Sequence, residues 1–493
     1  MSRSAHPAGP RHADVLPEAG VASAPNDVNA LDPAIWPTSA QRVDGVLHLG
    51  ELDVTALAGE HGTPAFFLDE DDLRARARAY AAAFEGVDVY YAGKAFLCTA
   101  LARWIEEEGL GLDVCTGGEL AVALAANFPA ERISVHGNNK SRNELQRAVD
   151  ARVGHVIVDS FAEIERLAEI AAAQGIAQRV LIRVTVGVEA HTHEFIATAH
   201  EDQKFGFSLR DGSATRAVAA VLSHDSLALA GLHSHIGSQI FETTGFEVAA
   251  HRVVALAAAI RDEHGIEVDE INLGGGLGIA YVTGDDPETA KQTLERLTGI
   301  VEIECATVGL QVPRISVEPG RAIVGPSAIT VYEVGTVKDV TLDGGHSRKY
   351  VSVDGGMSDN IRTALYDAAY TCTIANRASR AEPVLCRVVG KHCESGDVVV
   401  RDAWLPGDIT AGDLLAVAST GAYCRSMASN YNHVPRPPVV AVRAGKTQVI
   451  VRRETEADLL SLDPGVADFD PAKHPGEAIQ GASEGQSRGS AQR

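Results

Sequence analysis

The chain of 493 residues lacks a paired-cysteine pattern, a long apolar run and an excess of positive charge. Its seven cysteines, Cys98, Cys115, Cys305, Cys372, Cys386, Cys393 and Cys424, are an odd, scattered set with no C-x-x-C pair. That pattern suggests no disulfide or zinc framework and suits a reducing compartment. No stretch approaches the ~18 consecutive apolar residues of a membrane span. The N-terminus has Pro, His and Asp where a secretory signal needs an apolar core. A soluble cytoplasmic protein with no membrane partner is expected. Against 66 acidic residues there are 43 basic ones, a net charge of −23. A chain of that sign disfavours nucleic acid and anionic lipid as partners, so an anionic ligand must meet a local positive site.

The length exceeds what one hydrophobic core usually supports, which predicts two folded domains. Residues 1–35 are rich in Ala, Pro, Gly and Asp without periodicity, and residues 461–493 are dominated by Gly, Ser, Gln and Glu. Both ends read as disordered tails. Between them, short β-branched runs alternate with helical stretches such as 161–174 and 246–263. Eight strands are expected at 88–93, 111–116, 133–137, 155–159, 180–186, 229–235, 270–273 and 314–317. The fold class this predicts is α/β plus β: a (β/α)8 TIM-like barrel over 72–326, followed by a β-rich domain over 327–460. Strands are expected in the latter at 328–337, 349–353, 384–389, 414–417 and 439–443, and residues 36–71, with strands at 45–49 and 63–68, are expected to join it.

In such a barrel the active site sits where strands end and the following loops begin. The first strand end delivers Lys94, the second Asp113, the fifth Arg183 and the sixth His233 and His235. The seventh delivers Gly274, Gly275 and Gly276, and the eighth Glu318 and Arg321. Charged residues without a site would scatter over solvated helix faces instead. Lys94 leaves an apolar strand, where an amine is costly to bury unless it is neutral or covalently used, so it is a candidate Schiff-base lysine. Glycines let backbone N–H groups approach a phosphate, although three glycines alone are equally consistent with a turn. In Glu318-Pro319-Gly320-Arg321 the arginine can meet the same anion or a substrate carboxylate. A carboxylate such as Glu318 beside a pyridine nitrogen keeps that ring protonated and makes it an electron sink, which decarboxylation requires.

Other readings are more open. His233-Ser234-His235 places two imidazoles on one strand face, but no third ligand stands at adjacent spacing, so no metal is expected. One of them suits the face of a flat cofactor ring. Ser238 can donate to a phosphate or simply close a turn. Cys393-Glu394-Ser395-Gly396-Asp397 puts a thiol beside two acids, as suits a proton donor with a recognition carboxylate, or an ordinary solvated turn. If residues 360–369 are helical, Arg362 and Tyr366 share a face and can reach a distal carboxylate, or are part of an ordinary amphipathic helix.

These motifs resemble those of bacterial diaminopimelate decarboxylases, within the fold-type III, alanine-racemase-like pyridoxal-phosphate enzymes. The resemblance runs from about Val43 to Ala457 and rests on five ordered strings: Tyr91-Ala92-Gly93-Lys94-Ala95-Phe96, the segment from His233 to Gln239, Leu273 with Gly274–Gly276, the segment from Glu318 to Arg321, and the segment from Cys393 to Asp397. It implies pyridoxal 5'-phosphate on Lys94, His235 stacked on its ring and Glu318 at its pyridine nitrogen. Ser238, Gly276, Arg321 and Tyr423 are implied as phosphate holders, with Asp113, Gly274, Gly275, Pro319 and Gly320 around the cofactor. Arg321, Arg362, Tyr366, Glu394 and Tyr423 are implied to surround the substrate, with Cys393 as proton donor. A homodimer is implied, in which the Cys393 loop enters the neighbour's barrel. One departure is Phe96, where many relatives have Asn. Ornithine, arginine and carboxynorspermidine decarboxylation are the nearest alternatives, since one barrel serves all of them. A racemase is disfavoured by Glu318, and a non-enzymatic cofactor carrier by the large second domain.

Overall fold

In the computed structural model, residues 24–83, 86–187, 204–241, 244–341 and 347–468 are described. Eight parallel strands close into a barrel. In order around it they are Val87–Ala92, Gly111–Val114, Ile133–Val135, His155–Val158, Gln178–Thr185, Leu227–His233, Glu270–Asn272 and Arg314–Val317, the last pairing back to the first. All eight expected strands are present, most of them one or two residues shorter at the C-terminal end, where the chain turns into the loops. Helices such as Thr99–Glu107, Arg142–Ala151 and Phe161–Ala173 cover the outside. Several start on a hydroxyl cap that satisfies an orphan N–H of the first turn, as Ser141 does with Glu144 in a capping box.

A second sheet is ordered Val398–Pro406, Pro383–Val389, Ser347–Val353, Ala328–Thr341, Ala65–Asp69, Val439–Arg443 and Lys446–Val451. Leu414–Val417 pairs with Ala328–Thr341 and with Cys372–Ile374. Side chains alternate along a strand, so this sheet feeds two cores. Phe66 and Leu68 join the large cluster shared with the barrel, while Ala65 and Phe67 join a smaller one with Ile35, Trp36, Leu47 and Leu49.

That smaller core corrects two expectations. Residues 24–35 are not a disordered tail: Ile35 is wholly buried, and Asn29 exchanges hydrogen bonds with Ser379, its Nδ2 donating to the carbonyl and its Oδ1 accepting from the N–H. Burying Ile35 and Trp36 repays their ordering, at about 1.5–3 kcal/mol per large apolar side chain. Of the early strands, only Ala65–Asp69 enters the large sheet, whereas Val46–Leu49 belongs to a separate three-stranded sheet with Gln41–Val43 and Leu52–Asp53. In the C-terminal stretch expected to be disordered, Pro464–Asp468 forms a short 3-10 turn. The remaining residues of both tails lie outside the described ones. No described helix is long and apolar enough to cross a membrane.

The β domain reaches over the barrel mouth. Tyr423 N–H donates to Ala95 C=O (2.8 Å), Gly421 N–H to Gly325 C=O (3.1 Å), and Ser419 Oγ to Ala280 C=O (3.2 Å). Ser419 and Tyr423 take left-handed φ values of +56° and +61°. Non-glycine residues hold that conformation at a cost of about 1–2 kcal/mol each, and such strain concentrates where surrounding structure fixes a site.

Candidate active site

Lys94 lies in the 3-10 turn Gly93–Ala95, one step beyond the first barrel strand. It lines a cleft at the barrel mouth together with His235, Ser238, Gly275, Gly276, Glu318, Gly320, Arg321 and Tyr423. Burial by itself opposes the charged amine, yet Tyr423, Cys115, Asp113 and Glu318 outweigh it and hold the pKa of Lys94 above the ordinary lysine value. A cation at this nitrogen is therefore favoured.

The negative end of the cleft is built around Glu318. Its carboxylate lies 3.1 Å from His136 Nε2 and 3.3 Å from His233 Nε2, and its Oε1 accepts from Asn272 Nδ2 at 2.9 Å. Burial would raise the pKa of this carboxyl, but His136 and His233 hold it well below the ordinary carboxylate range. Glu318 is thus an ionised group in a dry setting. Asp113, beside His136 at 3.6 Å, goes the other way: burial pushes its carboxyl up to about 6. His136 and Asn272 were missed in the sequence reading, although both stand at ends of expected strands, the third and the seventh. The two-imidazole argument also needs correction. The sixth strand stops at His233, so His235 sits in the following loop, with Nδ1 accepting from Gly275 N–H at 3.2 Å. No further ligand stands at adjacent spacing along the chain, but the fold brings distant ones to His233: His136, His233 and Glu318 offer donor atoms within 4.8 Å of one another. Burial, with Lys94 and Arg183 nearby, keeps the His235 imidazole well below its ordinary pKa and hence neutral.

The positive end lies around Arg321. Nη2 donates to Ser238 Oγ (2.8 Å) and Nη1 to Tyr281 Oη (2.6 Å), the guanidinium lies 4.7 Å from the Tyr423 ring centroid, and the buried Nε has no hydrogen-bond partner. A buried, unpaired guanidinium donor is costly unless an anion completes it. The three glycines are required by space as well as by turn. Gly274 and Gly276 have φ of +72° and +107°, and a Cβ there would stand 2.5 Å from Ser234 C=O and 2.3 Å from Gly237 C=O. After Pro319, a Cβ on Gly320 would come within 2.9 Å of Ala92. The eighth-strand turn is thereby pressed against the strand that carries Lys94.

Arg362 joins the same region from the β domain. The helix carrying it is only Arg362–Tyr366, ended by left-handed Asp367, so the longer helix expected over 360–369 is not formed. Arg362 Nη1 donates to Tyr281 Oη (2.9 Å) and to Tyr370 Oη. Tyr366, one turn on, is half-buried. Among the described residues no carboxylate pairs with Arg321 or Arg362, although each is only 6 % exposed. Arg183 is different: its guanidinium stands 3.9 Å from Asp159 and over the Phe205 ring.

An amine, an ionised carboxylate and a guanidinium–hydroxyl–glycine cradle together suit an aldehyde that also carries a ring nitrogen and a phosphate. The profile of the pyridoxal-dependent decarboxylase pyridoxal binding domain matches residues 70–325, and that of the C-terminal sheet domain of the same enzymes matches residues 322–421. The diaminopimelate decarboxylase of Mycobacterium tuberculosis is 59% identical over 89% of this chain and 99% of that protein. The chain belongs to the diaminopimelate decarboxylase family. The Bacillus subtilis diaminopimelate decarboxylase is 46% identical over 86% of this chain and 97% of its own. The solved diaminopimelate decarboxylase of M. jannaschii in co-complex with L-lysine superposes with a TM-score of 0.80 at 30% identity, covering 88% of this chain and 99% of that one.

Phe96, where many relatives have Asn, is only 4 % exposed. Its ring is buried in the main core and its C=O accepts from Tyr91 Oη at 2.7 Å. The structure does not bring Cys393 and Glu394 into the cleft of their own chain. Both are exposed, and Glu394 accepts from Tyr431 Oη at 3.1 Å. Their loop is pinned at both ends: Asp397 accepts from Met357 N–H (2.6 Å) and His392 N–H (2.8 Å), and His392 Nε2 lies 2.8 Å from Ser358 Oγ.

Proposed function

We propose that this chain decarboxylates meso-2,6-diaminopimelate to L-lysine and CO2 with pyridoxal 5'-phosphate, as a cytoplasmic carboxy-lyase. The observation that carries the choice of substrate is the pair of buried guanidinium groups, Arg321 and Arg362, with no carboxylate of their own among the described residues. A second carboxylate on the substrate completes them. The basic tail of ornithine or arginine would meet like charge there. The lysine/ornithine decarboxylase of Vibrio vulnificus, at 21% identity and a TM-score of 0.66, shares the fold alone.

The residues fit the cofactor. Lys94 would bind it covalently, the neutral His235 would face its ring, Glu318 would keep a proton at the ring nitrogen, and Ser238, Gly276, Tyr423 and Arg321, the last of which also faces the substrate, would hold the phosphate. Pyridoxal phosphate, when bound, supplies the electron sink for the pair left by departing CO2. Glu318 would keep the ring nitrogen protonated because it is ionised and shielded from water, where a fixed charge counts most. Arg362 and Arg321 orient the distal carboxylate so that the other carboxylate is the one that leaves. Cys393 then delivers the proton from Sγ to the carbon that lost CO2, and Glu394 faces the amino group at the substrate's far end. The direct test is release of CO2 together with L-lysine from meso-diaminopimelate. Release from ornithine or arginine in its place would overturn the assignment.

The exposed Cys393–Glu394 loop supports a homodimer in which each loop completes the partner's site. Lys94→Ala and Cys393→Ala subunits, each inactive alone, are expected to regain about one quarter of wild-type activity when unfolded together and reassembled at random, since half the dimers then hold one intact site. No recovery, with dimers formed, would place the thiol in its own barrel.

A further inference from the structure

Tyr281 follows the glycine loop of the seventh strand, and the reading of the sequence gave it no part. Its ring is buried at 5 % exposure, its N–H donates to Asp285 Oδ2 (2.9 Å), and its C=O accepts from Thr371 Oγ1 (2.8 Å). The side chain packs edge to face on Tyr370, with ring centroids 5.2 Å apart. With the backbone fixed on both sides, the phenol oxygen has a defined place, and two cations point at it. Arg321 Nη1 donates from 2.6 Å and Arg362 Nη1 from 2.9 Å. Arg321 opens the short helix Arg321–Val324 after the barrel's eighth strand and Arg362 comes from the β domain, so one oxygen ties the two domains' arginines together.

We propose that Tyr281 is a positioning residue that holds Arg321 and Arg362 side by side on one phenol oxygen and thereby forms the subsite for the carboxylate the substrate keeps. Two buried guanidinium groups repel each other, and a neutral acceptor shared between them keeps both in place without supplying the negative charge that would compete with the ligand. A carboxylate of this chain in the same spot would neutralise the pair and remove the preference for an anionic substrate end. A phenol also leaves Arg321 Nε, buried and without a partner, free to meet a planar carboxylate. The inference rests on the proposed assignment of the two arginines to the substrate's distal carboxylate.

The test uses the holoenzyme and two ligands that differ only by that carboxylate, L-lysine and cadaverine, with binding read from the absorbance of the bound cofactor. In Tyr281→Phe the ring packing survives and only the oxygen is lost. The dissociation constant of L-lysine is expected to rise about tenfold, the scale of a hydrogen bond to a charged group, while that of cadaverine stays within about twofold. In steady state, KM for meso-diaminopimelate is expected to rise by a larger factor than kcat falls. Equal weakening of both ligands, or none, would overturn the positioning role, since general loosening of the site does not distinguish a carboxylate. Arg362→Ala serves as the parallel arm. If it leaves L-lysine binding at the wild-type value, the substrate assignment itself fails, whatever Tyr281→Phe does.

Discussion

Glu318→Gln is expected to lower kcat by about 10²–10³-fold, the size of effect seen when one pre-arranged electrostatic group facing developing charge is removed. The substitution keeps shape and hydrogen-bonding capacity but removes the charge. In the native site that charge is maintained against burial by His136 at 3.1 Å and His233 at 3.3 Å. An amide cannot keep a proton on a ring nitrogen, so the electron sink weakens while the cofactor stays bound through Lys94 and the phosphate cradle. Measuring CO2 release alongside cofactor content separates the two effects. A fall in kcat with full cofactor content is the expected pattern. Turnover within about twofold of wild type would mean that Glu318 has a purely structural part.

Arg362→Ala is expected to reduce kcat/KM on meso-diaminopimelate by about 10²–10³-fold, mostly through KM. Truncating one member of a buried charge-assisted pair costs about 2–5 kcal/mol, in part because the group left behind stays buried and unpaired. Here that group is the substrate's carboxylate; Tyr370 and Tyr281 each lose the bond from Arg362 as well, although Tyr281 keeps the one from Arg321. Arg362→Lys is expected to recover only part of the loss, because an ammonium cannot reach two phenols and a carboxylate with a planar fork. The check is steady-state kinetics on both variants. Wild-type efficiency in Arg362→Ala would remove the basis for choosing a dicarboxylic substrate.

The barrel was legible because each of its strands is a short apolar run flanked by a helix of clear period, and the strand ends then named Lys94, Asp113, Glu318 and Arg321 by position. Residues whose importance lies in a partner far along the chain were not legible. His136 and Asn272 matter through Glu318, some 182 and 46 positions away, and nothing in their local pattern signals it. Tyr281 looks like one more aromatic until Arg321 and Arg362 are seen to converge on it. Tertiary contacts also overrode composition. The segment ending at Ile35 reads as a tail, yet it orders because the outer face of the second sheet needs a cover. The helix at Arg362 is cut short by left-handed Asp367, a choice that periodicity does not report.

The central claim is that the Lys94 amine carries the cofactor at the rim of the barrel, held there between the Glu318 and Arg321 ends of one cleft. Borohydride reduction of the cofactor-loaded enzyme, followed by peptide mapping, tests it most directly. The account predicts loss of the visible absorbance and a single pyridoxyl label at Lys94. An unlabelled Lys94, with the label on another lysine or on none, would contradict it.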